Sequence, residues 1–333
     1  MKKSDLLAAM MLVGIFCFLS TPVNAKIWRV NNRSGMAADF TTAQAAHNGS
    51  TAGDTVYFEP SATTYGDLTA TKKLILVGPG YFLNENPETQ ANLTNAILGS
   101  VLFNKIAGST SEYSKIMGMD CVDITIQVSN IVVQRNLIRN SITINAGVLN
   151  NLLICQNYIY GTVYSQAATS PPCSVNNLLI KNNFLASIIC FQETYPLIEN
   201  NISLSGYISV SNATIQNNIL LYGSFTPNNA SYSYNIATDD AFGNLNGNQE
   251  FVDPEITFLC YSLCTGFSTD GRWKLAPGSP ATGTGAGGTD CGMFGGSNPY
   301  VLSGLPAIPA IYYFSHSNTN TQINVSLKVK SHN

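Results

Sequence analysis

The sequence predicts an all-β solenoid, and three observations carry that prediction. One eight-residue phrase returns five times: IVVQRNLI from Ile131, LLICQNYI from Leu152, LLIKNNFL from Leu178, PLIENNIS from Pro196 and ATIQNNIL from Ala213. Its third position is always aliphatic (Val133, Ile154, Ile180, Ile198, Ile215), and its sixth is always asparagine (Asn136, Asn157, Asn183, Asn201, Asn218), with a fainter sixth copy at Asn235. The asparagines lie 21, 26, 18, 17 and 17 residues apart, too close for a folded unit and suited to one coil of a stack.

Each phrase is rich in β-branched and large apolar residues and is bounded by Asn and Gly, so it reads as a short strand and a turn. A second strand follows each one, starting near Ser141, Thr162, Ala186, Gly206 and Tyr222. Repeating the same strand and corner places equivalent residues above one another at the ~4.8 Å spacing of paired strands. The aliphatic position then forms an interior column and the asparagine a second one, in which each carboxamide bonds the backbone around it and the next carboxamide. Turn formation alone explains isolated asparagines. It does not explain a fixed register with the aliphatic residue three places earlier.

On these phrases the chain resembles the right-handed parallel β-helix proteins of the pectate-lyase-like superfamily, in its extracellular bacterial branch. The resemblance covers nearly all of the chain after its first 25 residues. It implies a single-stranded right-handed parallel β-helix with three short sheets around a dry core and a short N-terminal capping helix.

In chain order, residues 1–25 carry Lys2 and Lys3, an apolar run from Leu6 to Leu19 and Val23-Asn24-Ala25, the pattern of a cleaved signal peptide. The expected product starts at Lys26, is secreted or displayed at the cell surface, and keeps no membrane-spanning segment. Residues 26–52 are expected to form the N-terminal cap, with Asp39 opening a short helix. The Gly53-Asp54-Thr55-Val56 strand then begins a β-helix over 53–296. The insert 167–173 should project as a loop. Asp290-Cys291-Gly292 and the residues before it, from Gly271, resemble the last-coil signature of secreted β-helix proteins. The tail 297–333, ending in the alternating strand Ile323–Val329, is expected to cover the carboxy-terminal end.

Chemistry is harder to read. The formal charge of −3 gives no basic footprint for nucleic acid. The cysteine spacing is not metal-like; Cys260 and Cys264 are placed equally well as a pair or as two thiols, and Cys121, Cys155, Cys190 and Cys291 read as core residues in strands. No cofactor is expected. Relatives that are polysaccharide lyases or hydrolases imply acidic residues gathering calcium beside a base, or two carboxylates flanking a glycosidic bond. The candidates for such work are Lys181 and Glu199, which share position four in successive phrases, and Arg135. They are weighed against a plain surface ion pair. Tyr158, Tyr160, Tyr164, Tyr207 and Tyr222 offer stacking surfaces for sugar rings, weighed against ordinary strand packing. The reading that results is a monomeric, non-catalytic β-helix that binds glycan or contributes to adhesion or envelope structure. The alternative is a polysaccharide lyase or glycoside hydrolase on acidic polysaccharide, in which case calcium would be needed.

Overall fold

The computed structural model describes residues 25–165, 173–190, 195–319 and 321–331; the expected signal peptide, apart from Ala25, and the insert loop, apart from Cys173, lie outside them. Each phrase folds into two short strands around a corner. Positions two to four form Val132–Gln134, the ends of Val148–Cys155 and Ser174–Lys181, then Leu197–Glu199 and Thr214–Gln216. With Ile27–Val30, Thr55–Phe58, Ile75–Val77, Lys115–Met117 and Ser231–Ser233 they make one ten-stranded ladder, paired in parallel throughout.

Position five then adopts left-handed backbone, with φ of 57, 58, 53, 56 and 58° at Arg135, Gln156, Asn182, Asn200 and Asn217. This turns the chain into a second ladder: Leu137–Ile138, Tyr158–Ile159, Phe184–Leu185, Ile202–Leu204, Ile219–Leu221 and Ile236–Ala237. The third ladder is the one expected after each phrase, Ile142–Ile144, Thr162–Ser165, Ser187–Cys190, Tyr207–Ser211 and Ser224–Asn228. Strands Ile97–Phe103 and Asp120–Ile126 run along both and join them into one fourteen-stranded sheet. The chain is thus an all-β parallel β-helix. Its second ladder escapes pattern reading because most of its strands are only two or three residues long, shorter than one period of alternation.

Inside, Val133, Ile154, Ile180, Ile198 and Ile215 lie in register and are fully buried. Each contributes roughly 1.5–3 kcal/mol from burial. Beside them runs the asparagine column. From Asn157 to Asn235 each Oδ1 accepts both the backbone N–H and a side-chain N–H of the preceding coil's asparagine, at 2.9–3.1 Å. The column continues one step further than the phrases do, to Asn248, whose Oδ1 takes the same two bonds from Asn235.

At the amino end, helix α1 (Ala43–Gly49) is capped by Thr42, whose Oγ1 accepts the Ala45 N–H at 3.2 Å. Asp39 is not the cap; it accepts the Arg29 N–H instead. Ala43 and Ala46 pack into the first coil and close it. Nearby, burial alone would raise the Asp54 pKa, yet the N–H groups of Lys26 and Thr51 and the Trp28 indole hold it down at about 2.

The carboxy-terminal third departs from expectation. Phe242, its ring tilted against that of Phe225 with centroids 4.7 Å apart, packs on the core beside the last strands of the stack. Helix α2 (Pro254–Thr257) begins a strap that packs Phe258, Trp273, Cys291, Met293 and Tyr300 against the second ladder. Residues 271–296 therefore lie along the flank of the stack, and Cys291 is in no strand. The position-five column holds this strap by its backbone and orders its path. Ala286 meets Asn217, Asp290 and Gly292 meet Asn200, Met293 and Gly295 meet Asn182, Pro299 meets Gln156, and Leu305 meets Arg135. The chain so returns to the early coils, where the Tyr81 N–H donates to Ser303 O.

The tail does not cover the far end. Its hairpin, Pro309–Thr319 paired with Gln322–Ser331, is attached beside the early coils by Ala91 N–H to Ile311 O and by the Lys330–Glu88 ion pair. The strap has already carried the chain away from the last coil. Cys260 and Cys264 form a disulfide.

Candidate functional site

Position four projects from the outer face of the ten-stranded sheet as Gln134, Cys155, Lys181, Glu199 and Gln216. Register places Lys181 opposite Glu199, and Nζ stands 3.0 Å from Oε2. Gln216 Nε2 donates to the other carboxylate oxygen at 3.0 Å. Both oxygens of Glu199 are therefore engaged by sheet neighbours, Lys181 on one and Gln216 on the other.

Arg135 is brought nowhere near this pair. It sits buried at the corner, where its guanidinium donates to Gln156 Oε1 and Leu305 O, both at 2.9 Å. Other acidic residues are also dispersed: Asp253 caps α2 through the Glu255 N–H, while Asp239 lies on a different corner. Among the described residues, no group of three His, Cys, Asp or Glu side chains could hold a metal ion. The acidic set that calcium-assisted elimination requires is not assembled among the described residues.

The corner between the second and third ladders has a different character. Small residues stack there coil on coil, and a Cβ added to Gly206 would stand 2.1 Å from Ala186 O, one added to Gly223 2.3 Å from Gly206 O. Backbone passes over backbone so closely that no side chain fits, leaving a bare floor. Tyr207 and Tyr222 rise beside it, 60% and 54% exposed. With Ser205, Ser224 and Asp239 they line an open groove of about 390 Å³.

Tyr222 is held with φ at 51°, a conformation costing a bulky residue about 1–2 kcal/mol. Its ring is 6.0 Å from that of Tyr261, on the strap. Hydroxyls and a carboxylate at the rim and apolar ring faces at the walls match the two kinds of surface a sugar presents.

The other tyrosines divide. Tyr160 is exposed and Tyr164 half-buried, whereas Tyr158 is buried under the strap, stacked on Phe184 at 4.4 Å and receiving the Trp273 indole N–H. Tyr261 was not singled out from sequence. The groove itself has a usable signal: Tyr160-Gly161, Gly206-Tyr207 and Tyr222-Gly223 each join a glycine to a tyrosine at the same corner, with Ala186-Ser187 in the coil between the first two. Set against known proteins, the chain matches no family model, no curated protein and no solved structure.

Proposed function

We propose that this chain is an exported β-helix protein of pectate-lyase-like type that binds glycan without cleaving it. The observation that carries the reading is the Tyr207–Tyr222 groove: two exposed rings over a backbone floor, with Ser205, Ser224 and Asp239 at hydrogen-bonding positions. Tyr222 is strained and more than half exposed, and its ring contact with Tyr261 is a loose one at 6.0 Å, so it points to a ligand. The competing lyase or hydrolase reading needs a carboxylate or base ready for a substrate, and Glu199 is committed to Lys181 and Gln216.

The test is affinity electrophoresis and calorimetry against a polysaccharide panel, with reducing ends and unsaturated products followed in parallel. Binding should weaken about tenfold or more in Tyr207→Ser combined with Tyr222→Asn, the asparagine being chosen because it tolerates the left-handed backbone. Sustained product release that disappears in Glu199→Gln would instead establish the enzyme.

Export is part of the same proposal. Cleavage after Ala25 would put a new α-ammonium where the Lys26 N–H now donates to Asp54 at 2.9 Å, opposite a carboxylate already held ionised. Mass spectrometry of the exported protein should find Lys26 first. An intact Met1 in that fraction would reject the idea.

A further inference from the structure

A second row of residues follows the stack along the edge of the ten-stranded sheet. Two positions before each strand's outward residue, register aligns Tyr113, Asn130, Asn151, Asn177, Tyr195, Asn212 and Asn229, one per coil. All seven have left-handed backbone, with φ between 52 and 63°. Asparagine suits that conformation and is the expected corner residue. Tyrosine does not suit it, and both exceptions project their rings into solvent, Tyr113 at 62% and Tyr195 at 77% exposure. Neither turn chemistry nor packing accounts for an aromatic residue at these two places.

Between the two rings the carboxamides form a surface chain. Asn151 Nδ2 donates to Asn130 Oδ1 and Asn177 Nδ2 to Asn151 Oδ1, each at 2.9 Å. A carboxamide has two N–H groups and two lone pairs, so each member keeps hydrogen-bonding capacity directed outward. Alongside, half-buried Val132, Leu153 and Leu179 form an aliphatic rail, and rail and amides together line a groove of about 270 Å³. No charged side chain lines it. Charges stand at both of its ends: Lys115 takes the rail position in the Tyr113 coil, in register with Val132, and Lys181 follows two positions after Leu179.

We propose that the row from Tyr113 to Tyr195 is a binding site for an uncharged, extended, β-linked polysaccharide chain lying along the coil axis. The rings are four coils apart, roughly 20 Å at one strand spacing per coil. A pyranose advances an extended chain by about one such spacing, so about five sugars span the row, with the outer two stacked on the tyrosines. The inner sugars set their C–H faces on the aliphatic rail and their hydroxyls against the outward N–H groups and lone pairs of the amides. The uncharged lining of the three central coils selects a neutral polymer, because a uronate would lose hydration there without gaining a counterion. This site lies on a different corner from the Tyr207–Tyr222 groove, shares no residue with it, and stands or falls separately.

The experiment uses the whole exported chain and β-1,4-linked hexasaccharides and trisaccharides of glucose and of N-acetylglucosamine, with oligogalacturonate as the charged comparison. Calorimetry should show a neutral hexasaccharide binding at least about tenfold tighter than its trisaccharide, since the shorter chain reaches one ring only. Tyr113→Asn and Tyr195→Asn give each corner the residue its neighbours use, so both variants should unfold at or above the wild-type temperature while losing about tenfold in hexasaccharide affinity. Tyr207→Ser with Tyr222→Asn should leave that affinity unchanged. The proposal is overturned if no neutral hexasaccharide binds, if oligogalacturonate alone binds, or if binding survives in the Tyr113→Asn, Tyr195→Asn double variant.

Discussion

Replacing Asn201 by leucine should lower the free energy of unfolding by about 3–4 kcal/mol, read as a fall in the urea midpoint. The side chain is buried, and its Nδ2 reaches Ile180 O, Glu199 O and Asn218 Oδ1, while its Oδ1 accepts from the N–H and the Nδ2 of Asn183. Leucine is close in size but removes every one of these side-chain bonds, stranding the Asn183 N–H and one of its side-chain N–H groups inside the column. Each buried polar group stranded this way costs about 1–3 kcal/mol, and a linked column transmits the loss along it. Lys181→Gln, one phrase earlier on the outer face, should change stability by about 1 kcal/mol or less, because a partly exposed ion pair contributes little. Equal midpoints for Asn201→Leu and wild type would mean that the column carries no stability.

Trp273→Ala should cost about 3–5 kcal/mol, the usual loss for deleting a buried indole. Trp273 is the strap's largest buried side chain, packed against Phe184 and Phe258 with centroids 4.8 and 5.3 Å away. The coils have their own core, so the damage should be confined at first to the strap. Limited proteolysis of the variant should cut between residues 252 and 305 under conditions that leave the wild type intact, while the far-ultraviolet circular dichroism of the stacked sheets persists. Simultaneous loss of sheet signal and strap would show that the two fold as one cooperative unit.

These two residues also mark how unevenly the sequence can be read. Asn201 is legible because repetition is a direct consequence of stacking: a coil that pairs with its neighbours must present the same residue at the same place, so the period, the inward aliphatic position and the amide column all appear as text. The ion pair between Lys181 and Glu199 was legible for the same reason. Trp273 was not. Its segment has no period, and resemblance to a final coil placed it inside the stack, whereas contacts with Tyr158 and Phe184, more than eighty residues earlier, draw it onto the flank. The strap also buries the position-five residues, and nothing in the repeated phrase announces that cover.

The candidate sites divide along the same line. Tyr207 and Tyr222 could be named as stacking residues, but their pairing over a bare floor depends on Gly206 and Gly223 lying too close to backbone for any side chain, a fact of coil-to-coil distance. Tyr113 and Tyr195 stand 82 positions apart in the chain and share a row only through the register of the strands between them. By itself, then, the sequence determined the parallel β-helix, its aliphatic and asparagine columns, and the side chains of its outer face, because each is a local pattern repeated by translation along one axis. The tertiary structure alone decided where the carboxy-terminal strap and hairpin lie and which tyrosines meet, because those depend on non-repeating burial between distant segments, and a one-dimensional pattern holds no record of it.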